Sequence, residues 1–218
     1  MKRKYNYRLY NKDCFAFLSS FDIHKKHKFD LCLTSPPFDL PKIHRDTAIQ
    51  LLRRACKIVV MFNSSKNLDD IISTHHPKKV LIWNKQVGMG AFRYEPIFIW
   101  TKEPVNGPGR IWSDVLSFNP IPGKEQLTQD ENPLTLYVQL LRYFPKEVSV
   151  LDPFTGSGTS GAACSYLMQR NPLRQFTGLE IDPVRFRIAK KRIEKAYRRA
   201  LHLRKKGLEI EYLEKRKR

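Results

Sequence analysis

The stretch Leu151-Asp152-Pro153-Phe154-Thr155-Gly156-Ser157-Gly158-Thr159 constrains this chain more than any other. It follows the apolar run Val148-Ser149-Val150 and precedes the small residues Ser160-Gly161-Ala162-Ala163-Cys164, which together read as strand, tight turn and helix start. Gly156 and Gly158 can adopt positive φ, and without Cβ atoms they let a ligand lie against the backbone. Thr159 is suited to cap the helix, whose first free N–H groups then point into the turn. Asp152 ends the strand and sets a carboxylate at the edge of the hollow. Open α/β sheets bind their ligands at such places, just beyond the carboxyl ends of strands.

Elimination narrows the ligand. A phosphate loop of the Walker type needs a Lys after its last glycine, but Thr159-Ser160 follow Gly158 and no Lys occurs before Lys190 within this segment. Gly156-Ser157-Gly158-Thr159-Ser160-Gly161 does fit the dinucleotide pattern, a weak match alone that leaves Asp152-Pro153-Phe154 unexplained. The next apolar run, Phe176 to Leu179, ends in Glu180, where an acid can hold ribose hydroxyls. A glycine turn and an acid at these positions imply a nucleoside-bearing cofactor without saying which.

The flanking sequence alternates strands and helices. Strands are expected over 5–12, 29–34, 58–62, 80–83, 95–101 and 176–180, with a short one near 111–118. Helices are expected over Cys14 to Phe21, Asp46 to Lys57, Asn67 to Ile72, and from Pro133 (a first-turn proline after Asn132) to Phe144. Pro183 opens a long basic helix to about Lys206. That alternation indicates an α/β fold with a doubly wound, mainly parallel sheet. Residues 1–206 read as a single domain with a short Pro/Gly-rich insert over 103–126, and 207–218 as a basic tail.

Forty Lys and Arg against 21 Asp and Glu give a net charge of +19, a field that draws nucleic acid. Cys14, Cys32, Cys56 and Cys164 are scattered with no CxxC pair, and the His24/His27 loop lacks a second ligand cluster, so no metal is expected. Met1-Lys2-Arg3-Lys4-Tyr5 lacks a leader's apolar core, and no run reaches the roughly 18 apolar residues of a membrane span. A soluble cytoplasmic protein with no membrane partner is the expectation.

The pieces together resemble the β group of S-adenosylmethionine-dependent amino-methyltransferases of nucleic acids, the N4-cytosine and N6-adenine methylases. Asp152 to Thr159 is similar to their cofactor motif and Thr34-Ser35-Pro36-Pro37-Phe38 to their catalytic motif. The order, catalytic motif first, is that group's circular permutation. Trp83-Asn84-Lys85 with Tyr94-Glu95-Pro96-Ile97 resembles the segment between the two motifs, and Gln129 to Pro133 the element before the cofactor strand, with Asn132 where Lys is usual. The likeness spans about residues 9–196. It implies a Rossmann-like methyltransferase fold and S-adenosyl-L-methionine as cofactor. Asp152, Phe154, Gly156, Gly158 and Thr159 would form its seat, Glu180 would take the ribose and Asp13 would lie near the adenine.

An exocyclic amino group is a poor nucleophile because its lone pair is delocalised into the ring. A catalyst must hold the amino hydrogens so that nitrogen pyramidalises toward the methyl donor. The Ser35 hydroxyl and Pro36 carbonyl, stiffened by Pro36 and Pro37, can accept those hydrogens, and Phe38 can stack on a flipped base. No Pro-Cys occurs, which excludes the cysteine-dependent C5 methylases. Ser in the first position leans toward cytosine N4, although the family uses Ser with both bases. Val59-Val60-Met61-Phe62-Asn63 offers no acid as proton acceptor.

DNA enzymes of this family usually insert a substantial recognition domain where this chain has the short 103–126 segment, too small to place a helix in a major groove. From Pro183 to Arg218 there are 15 Lys/Arg and 4 Asp/Glu, so 15 − 4 = +11 lies in the C-terminal helix and tail. Charge without a reading domain favours folded RNA, ribosomal RNA above all, over DNA. The alternatives are an N4-cytosine or N6-adenine DNA methyltransferase, or a non-catalytic nucleic-acid-binding protein that has kept the fold. An NAD-dependent enzyme would have no use for Ser35 to Phe38.

Overall fold

In a computed structural model, residues 6–21, 27–86, 93–102, 113–128, 131–144, 149–168 and 174–206 are described. Among them the elements run β1 (Tyr7–Tyr10), α1 (Cys14–Ser19), β2 (Phe29–Thr34), α2 (Lys42–Ala55), β3 (Cys56–Phe62), α3 (Leu68–His75), β4 (Lys79–Asn84), β5 (Tyr94–Thr101), β6 (Val115–Ser117), α4 (Leu134–Tyr143), β7 (Ser149–Asp152), α5 (Thr159–Leu167), β8 (Gln175–Leu179) and α6 (Pro183–Lys205). The strands form one sheet in the order β1-β8-β7-β2-β3-β5-β4-β6. Only β5 runs against its neighbours, β3 and β4. The other pairings are parallel, as expected for a doubly wound sheet.

Alternation along the central strands creates two cores. Leu31 and Leu33 of β2 and Ile58, Val60 and Phe62 of β3 face Leu136 and Leu140 of α4, Ala163 of α5 and Ile193 of α6. Cys32, Val59 and Met61 point the other way, toward Leu18 of α1, Ile49 and Leu52 of α2 and Ile71 of α3. Strands buried on both faces read as continuous apolar runs rather than alternating ones, which is why 29–34 and 58–62 are legible as strands. Each fully buried aliphatic side chain in these layers contributes roughly 1.5–3 kcal/mol.

The expected boundaries shift where tertiary contacts override local pattern. The helix expected from Asp46 starts at Lys42, directly after Pro41, and gives up Cys56 and Lys57 to β3, where Cys56 pairs with Phe29. Pro133 is not the first helical residue of α4. It sits extended at the cap (φ −62°, ψ 135°), and the helix begins at Leu134. Residues 65–67 form a 3-10 turn before α3. The strand of the insert is reduced to Val115–Ser117 on the sheet's edge, paired with β4. Expectations at His24, in the 87–92 loop, at 103–112, at Gln129 and Asp130 and in the 207–218 tail lie outside the described residues. No helix among the described residues is long and apolar enough to cross a membrane.

Candidate active site

The strand order reverses between β7 and β2. β7 leads through α5 to β8 on one side, and β2 leads through α2 to β3 on the other. The two strands lie side by side and parallel, Leu31 opposite Val150 and Cys32 opposite Leu151. Such a switch point opens the crevice in which α/β sheets bind ligands. The glycine turn leaves β7 there and Ser35-Pro36-Pro37-Phe38 leaves β2, so two distant motifs emerge at neighbouring strand ends.

Asp152 is the buried hinge pin of the turn, 2% exposed. One carboxylate oxygen accepts from Thr34 Oγ1 at 2.7 Å and from the Phe154 N–H at 3.1 Å, and the other accepts from Ser160 Oγ of α5. Burial pushes its pKa from 3.8 up to about 6, against the pull of these donors. The carboxylate expected at the edge of the hollow is thus turned inward, where it fastens β2, the turn and α5 together. Thr155 completes the frame, its N–H donating to the Leu179 carbonyl at 2.9 Å and its hydroxyl to the Asp152 carbonyl at 2.9 Å. Gly178 makes room for that hydroxyl, since a Cβ there would stand 2.5 Å from Thr155 Oγ1.

The two turn glycines have different reasons to be glycine. Both have positive φ, 53° at Gly156 and 87° at Gly158. A Cβ at Gly156 would meet only the Phe154 carbonyl oxygen at 4.0 Å, so its open side is free for a ligand. A Cβ at Gly158 would stand 2.9 Å from Ala189 Cα of α6. Close helix packing, rather than ligand approach, fills that side. Gly158 also corrects the expected cap: it is the N-cap of α5, without a side-chain bond, and Thr159 is the first helical residue.

Glu180 follows β8 and is buried. One of its oxygens accepts from the Gly156 N–H at 2.9 Å and the other from the Asp182 N–H at 2.9 Å. A carboxylate so held faces the open glycine and keeps lone pairs for further donors. Asp13 caps α1 by accepting from the Ala16 N–H at 2.8 Å. It stands just beyond β1, which pairs with β8, and hydrogen bonds from Asn11 to the Glu180 and Ile181 carbonyls tie the two strand ends together. Phe154 is half-buried at the lip of the turn.

Across the crevice, Ser35 is half-buried, Pro36 buried and Pro37 exposed, and Phe38 is a large apolar side chain 36% open to solvent. Tyr137 of α4 lies behind this loop, its ring stacked on Phe62 at 5.3 Å and its hydroxyl accepting from Asn132 Nδ2 at 3.3 Å. Burial drives its phenol pKa far upward, opposed by hydrogen bonding to Asn132 and Ser35, so Tyr137 is a neutral neighbour of the Ser35 hydroxyl. At the end of β3 the Asn63 side-chain oxygen accepts from the Ser64 N–H and from Asn67, a structural cap. Glu95, at the start of β5, pairs with Lys85, whose ammonium lies 5.0 Å from the centre of the Trp83 ring.

Sequence reasoning missed the fastening of α6 to the turn. Arg192 projects inward from the basic helix, and its Nη1 lies 2.7 Å from Ser157 Oγ, 2.8 Å from Thr159 Oγ1 and 2.5 Å from Glu131 Oε1. Glu131 is 7% exposed and its other oxygen accepts from the Leu127 N–H. Thr159 therefore serves this junction instead of a helix cap. The available signal was one basic residue at the edge of the helix's apolar stripe, which periodicity alone cannot separate from its nine basic neighbours on α6. Among the described residues no three His, Cys, Asp or Glu side chains converge as a metal site.

No family model and no curated protein matches the chain. Solved structures do. M1.HpyAVI in complex with SAM superposes with a TM-score of 0.66 at 23% identity, covering 86% of this chain and 98% of that one. TTHA0409 of Thermus thermophilus, provisionally named a DNA modification methylase and complexed with S-adenosyl-L-methionine, gives 0.64 at 21% identity, with 88% and 94% covered. At these identities the likeness is one of architecture, and it spans nearly the whole of both neighbours. The chain has the Rossmann-like α/β fold of these S-adenosylmethionine-complexed proteins.

Proposed function

We propose that this protein is an S-adenosylmethionine-dependent methyltransferase acting on an exocyclic amino group of a nucleic-acid base, with N4 of cytosine in structured RNA, such as ribosomal RNA, as the preferred target. The observation that carries the reading is the Thr34–Asp152 hydrogen bond at 2.7 Å, which joins the residue before Ser35 to the glycine turn. A methyl donor in the turn and a base on Ser35-Pro36-Pro37-Phe38 are then neighbours, as transfer between them requires.

The residues fit the cofactor. Gly156 offers backbone open to a ligand, Glu180 has a buried carboxylate beside it for ribose hydroxyls, and Asp13 stands past the adjoining strand end. When bound, S-adenosylmethionine supplies an electrophilic methyl sulfonium. The chain's own residues do the rest. Ser35 Oγ and the Pro36 carbonyl accept the amino hydrogens and turn the nitrogen lone pair out of the ring plane. The two prolines keep those acceptors from rotating away. Phe38, already exposed, stacks on the base. Asn63 at the end of β3 has no acid function, so the proton shed by the methylated nitrogen passes to water as the methyl leaves sulfur.

DNA is the second reading, supported by the name of TTHA0409. The decisive experiment is nucleoside mass spectrometry of RNA and DNA from cells lacking the protein. Loss of 4-methylcytidine from RNA is the expected outcome. Loss of its deoxy counterpart or of 6-methyladenine would move the substrate, and no change in any of them, together with no binding of labelled S-adenosylmethionine, would refute the enzyme.

A further inference from the structure

α6 is unusual for the distribution of its charges. It holds ten Lys/Arg and one acid, Glu194, so 10 − 1 = +9 of the chain's +19 lies on one helix. Its buried stripe is Ala189, Ile193, Ala196, Tyr197, Ala200 and Leu203. At 100° per residue, Arg187, Lys191, Lys195, Arg198 and Lys205 fall on the opposite side with Lys190 at its edge, and all are exposed. From Arg187 to Lys205 this face extends about 27 Å.

Elsewhere on the surface, several cations are neutralised. Lys42 pairs with Asp70, Lys57 with Asp30, Lys79 with Asp114 and Lys85 with Glu95. Lys190, Lys191, Lys195 and Lys205 have no acidic partner among the described residues. Concentrating like charge on one helix costs stability by repulsion, and a polyanion relieves that cost. Apart from Val184, Glu194 and His202, the outward side offers mainly Lys and Arg, and the described part of the insert, 113–128, adds one three-residue strand and a short 3-10 turn. Backbone contact is well provided for and groove reading is not.

The helix is also fixed with respect to the crevice. Its cap, Asp182, donates its N–H to Glu180, and Arg192 bolts its inner side to Ser157 and Thr159 of the glycine turn. A phosphate chain bound outside is therefore held in constant register with the turn inside. We propose that the outward face of α6 is the docking surface for the sugar-phosphate backbone of a folded RNA, placed by Arg192 in fixed register with the methyl-donor turn. This rests on the nucleic-acid reading of the site and deepens it.

The test compares two fourfold neutralised variants of the full chain. One is K190Q/K191Q/K195Q/K205Q, and Gln keeps the helix propensity. The other is K28Q/R54Q/K78Q/K102Q, which removes equal charge from exposed positions at the amino-end pole of the sheet. Binding of an RNA hairpin is measured against salt. Each lost phosphate contact removes between about 0.7 and 0.9 from the log–log slope, so the α6 variant should lose about 3 in slope and at least about tenfold in affinity at low salt. Its melting temperature should stay at or rise above wild type as the repulsion is relieved, its S-adenosylmethionine affinity should stay at wild type, and the polar control should keep the wild-type slope. Equal losses in both variants, or none in the α6 variant, overturn the docking surface. A DNA hairpin of the same sequence bound as tightly as the RNA overturns the assignment to RNA. Failure of the wild type to bind S-adenosylmethionine would instead strike the proposed function, leaving the slope comparison to judge α6.

Discussion

The glycine turn after β7 and the Ser-Pro-Pro-Phe loop after β2 leave adjacent parallel strands, yet they are held by different means. Asp152, Phe154, Thr155, Ser157, Gly158, Thr159 and Ser160 all enter the turn's hydrogen-bond net, and Gly158 is wedged against α6. The loop from Ser35 to Phe38 relies on two prolines and on Tyr137 behind it, and its last residue opens to solvent. Under the proposed function, the difference follows from what each stretch has to do. A seat for a small cofactor must keep its shape with the cofactor absent. A clamp for a base must be stiff where it accepts hydrogens and open where the base enters.

This contrast breaks most visibly at Asp152. Asp152→Ala removes the acceptor for three donors, two of them buried, and should cost about 2–4 kcal/mol of stability, with loss of S-adenosylmethionine binding. Asp152→Asn keeps the volume and one carbonyl acceptor and should cost less than half as much. Denaturant melts and calorimetric titration of the cofactor check both. If Asp152→Ala melted like wild type, the carboxylate would not be what fastens the turn.

The two glycines divide stability from binding. Gly158→Ala would force a Cβ against the Ala189 backbone at positive φ, and about 2–3 kcal/mol of stability should be lost. Gly156→Ala meets no such wall and should cost only about 1–2 kcal/mol, from its φ, while cofactor affinity falls at least as far as for Gly158→Ala. Reversed rankings would mean that the ligand lies on the Gly158 side.

On the loop the order of effects should invert. Phe38→Ala removes a side chain already 36% exposed, so stability should change by less than about 0.5 kcal/mol. Methyl transfer should fall roughly tenfold to a hundredfold, the loss of one base–aromatic stack of about 1–3 kcal/mol. Cofactor affinity should not move. A drop in cofactor affinity matching the drop in rate would place Phe38 in the wrong half of the crevice.

Much of this division was legible in the sequence. The apolar runs ending at Thr34, Asp152 and Leu179 declare three strands, and the motifs hang from their ends. The roles inside the turn were less so. Asp152 looks like a ligand-facing acid because its donors, Thr34 and Ser160, are chosen by strand pairing and by helix packing. Gly158 looks like a ligand-facing glycine because Ala189 lies 31 positions away. Arg192 looks like one more cation of a basic helix until α6 is folded onto the turn. Contacts of that span leave no period and no local motif, so propensity cannot report them. Local chemistry also misled at Pro133 and Thr159, residues suited to the places predicted for them, whose helices begin one residue off.

The smallest effect should appear where the two regions touch. Thr34→Val keeps the shape of a fully buried side chain and deletes the hydroxyl that donates to Asp152 at 2.7 Å. Burial raises Asp152 from 3.8 to about 6, so the folded chain binds a proton there that the unfolded chain releases. This group's contribution to stability is therefore complete below about pH 4 and is lost as pH rises through about 6. Removing a donor to the ionised form raises the folded pKa further. At pH 8, where Asp152 is charged, Thr34→Val should cost about 1.5–2 kcal/mol, the worth of a hydrogen bond to a charged group. At pH 5, where Asp152 is protonated, the cost should shrink to about 0.5–1 kcal/mol, that of a neutral bond. Melts of wild type and Thr34→Val across this range measure the difference. A cost independent of pH would show that Thr34 packs beside Asp152 without solvating its charge, and the clamp and the seat would then be joined by the β2–β7 ladder alone.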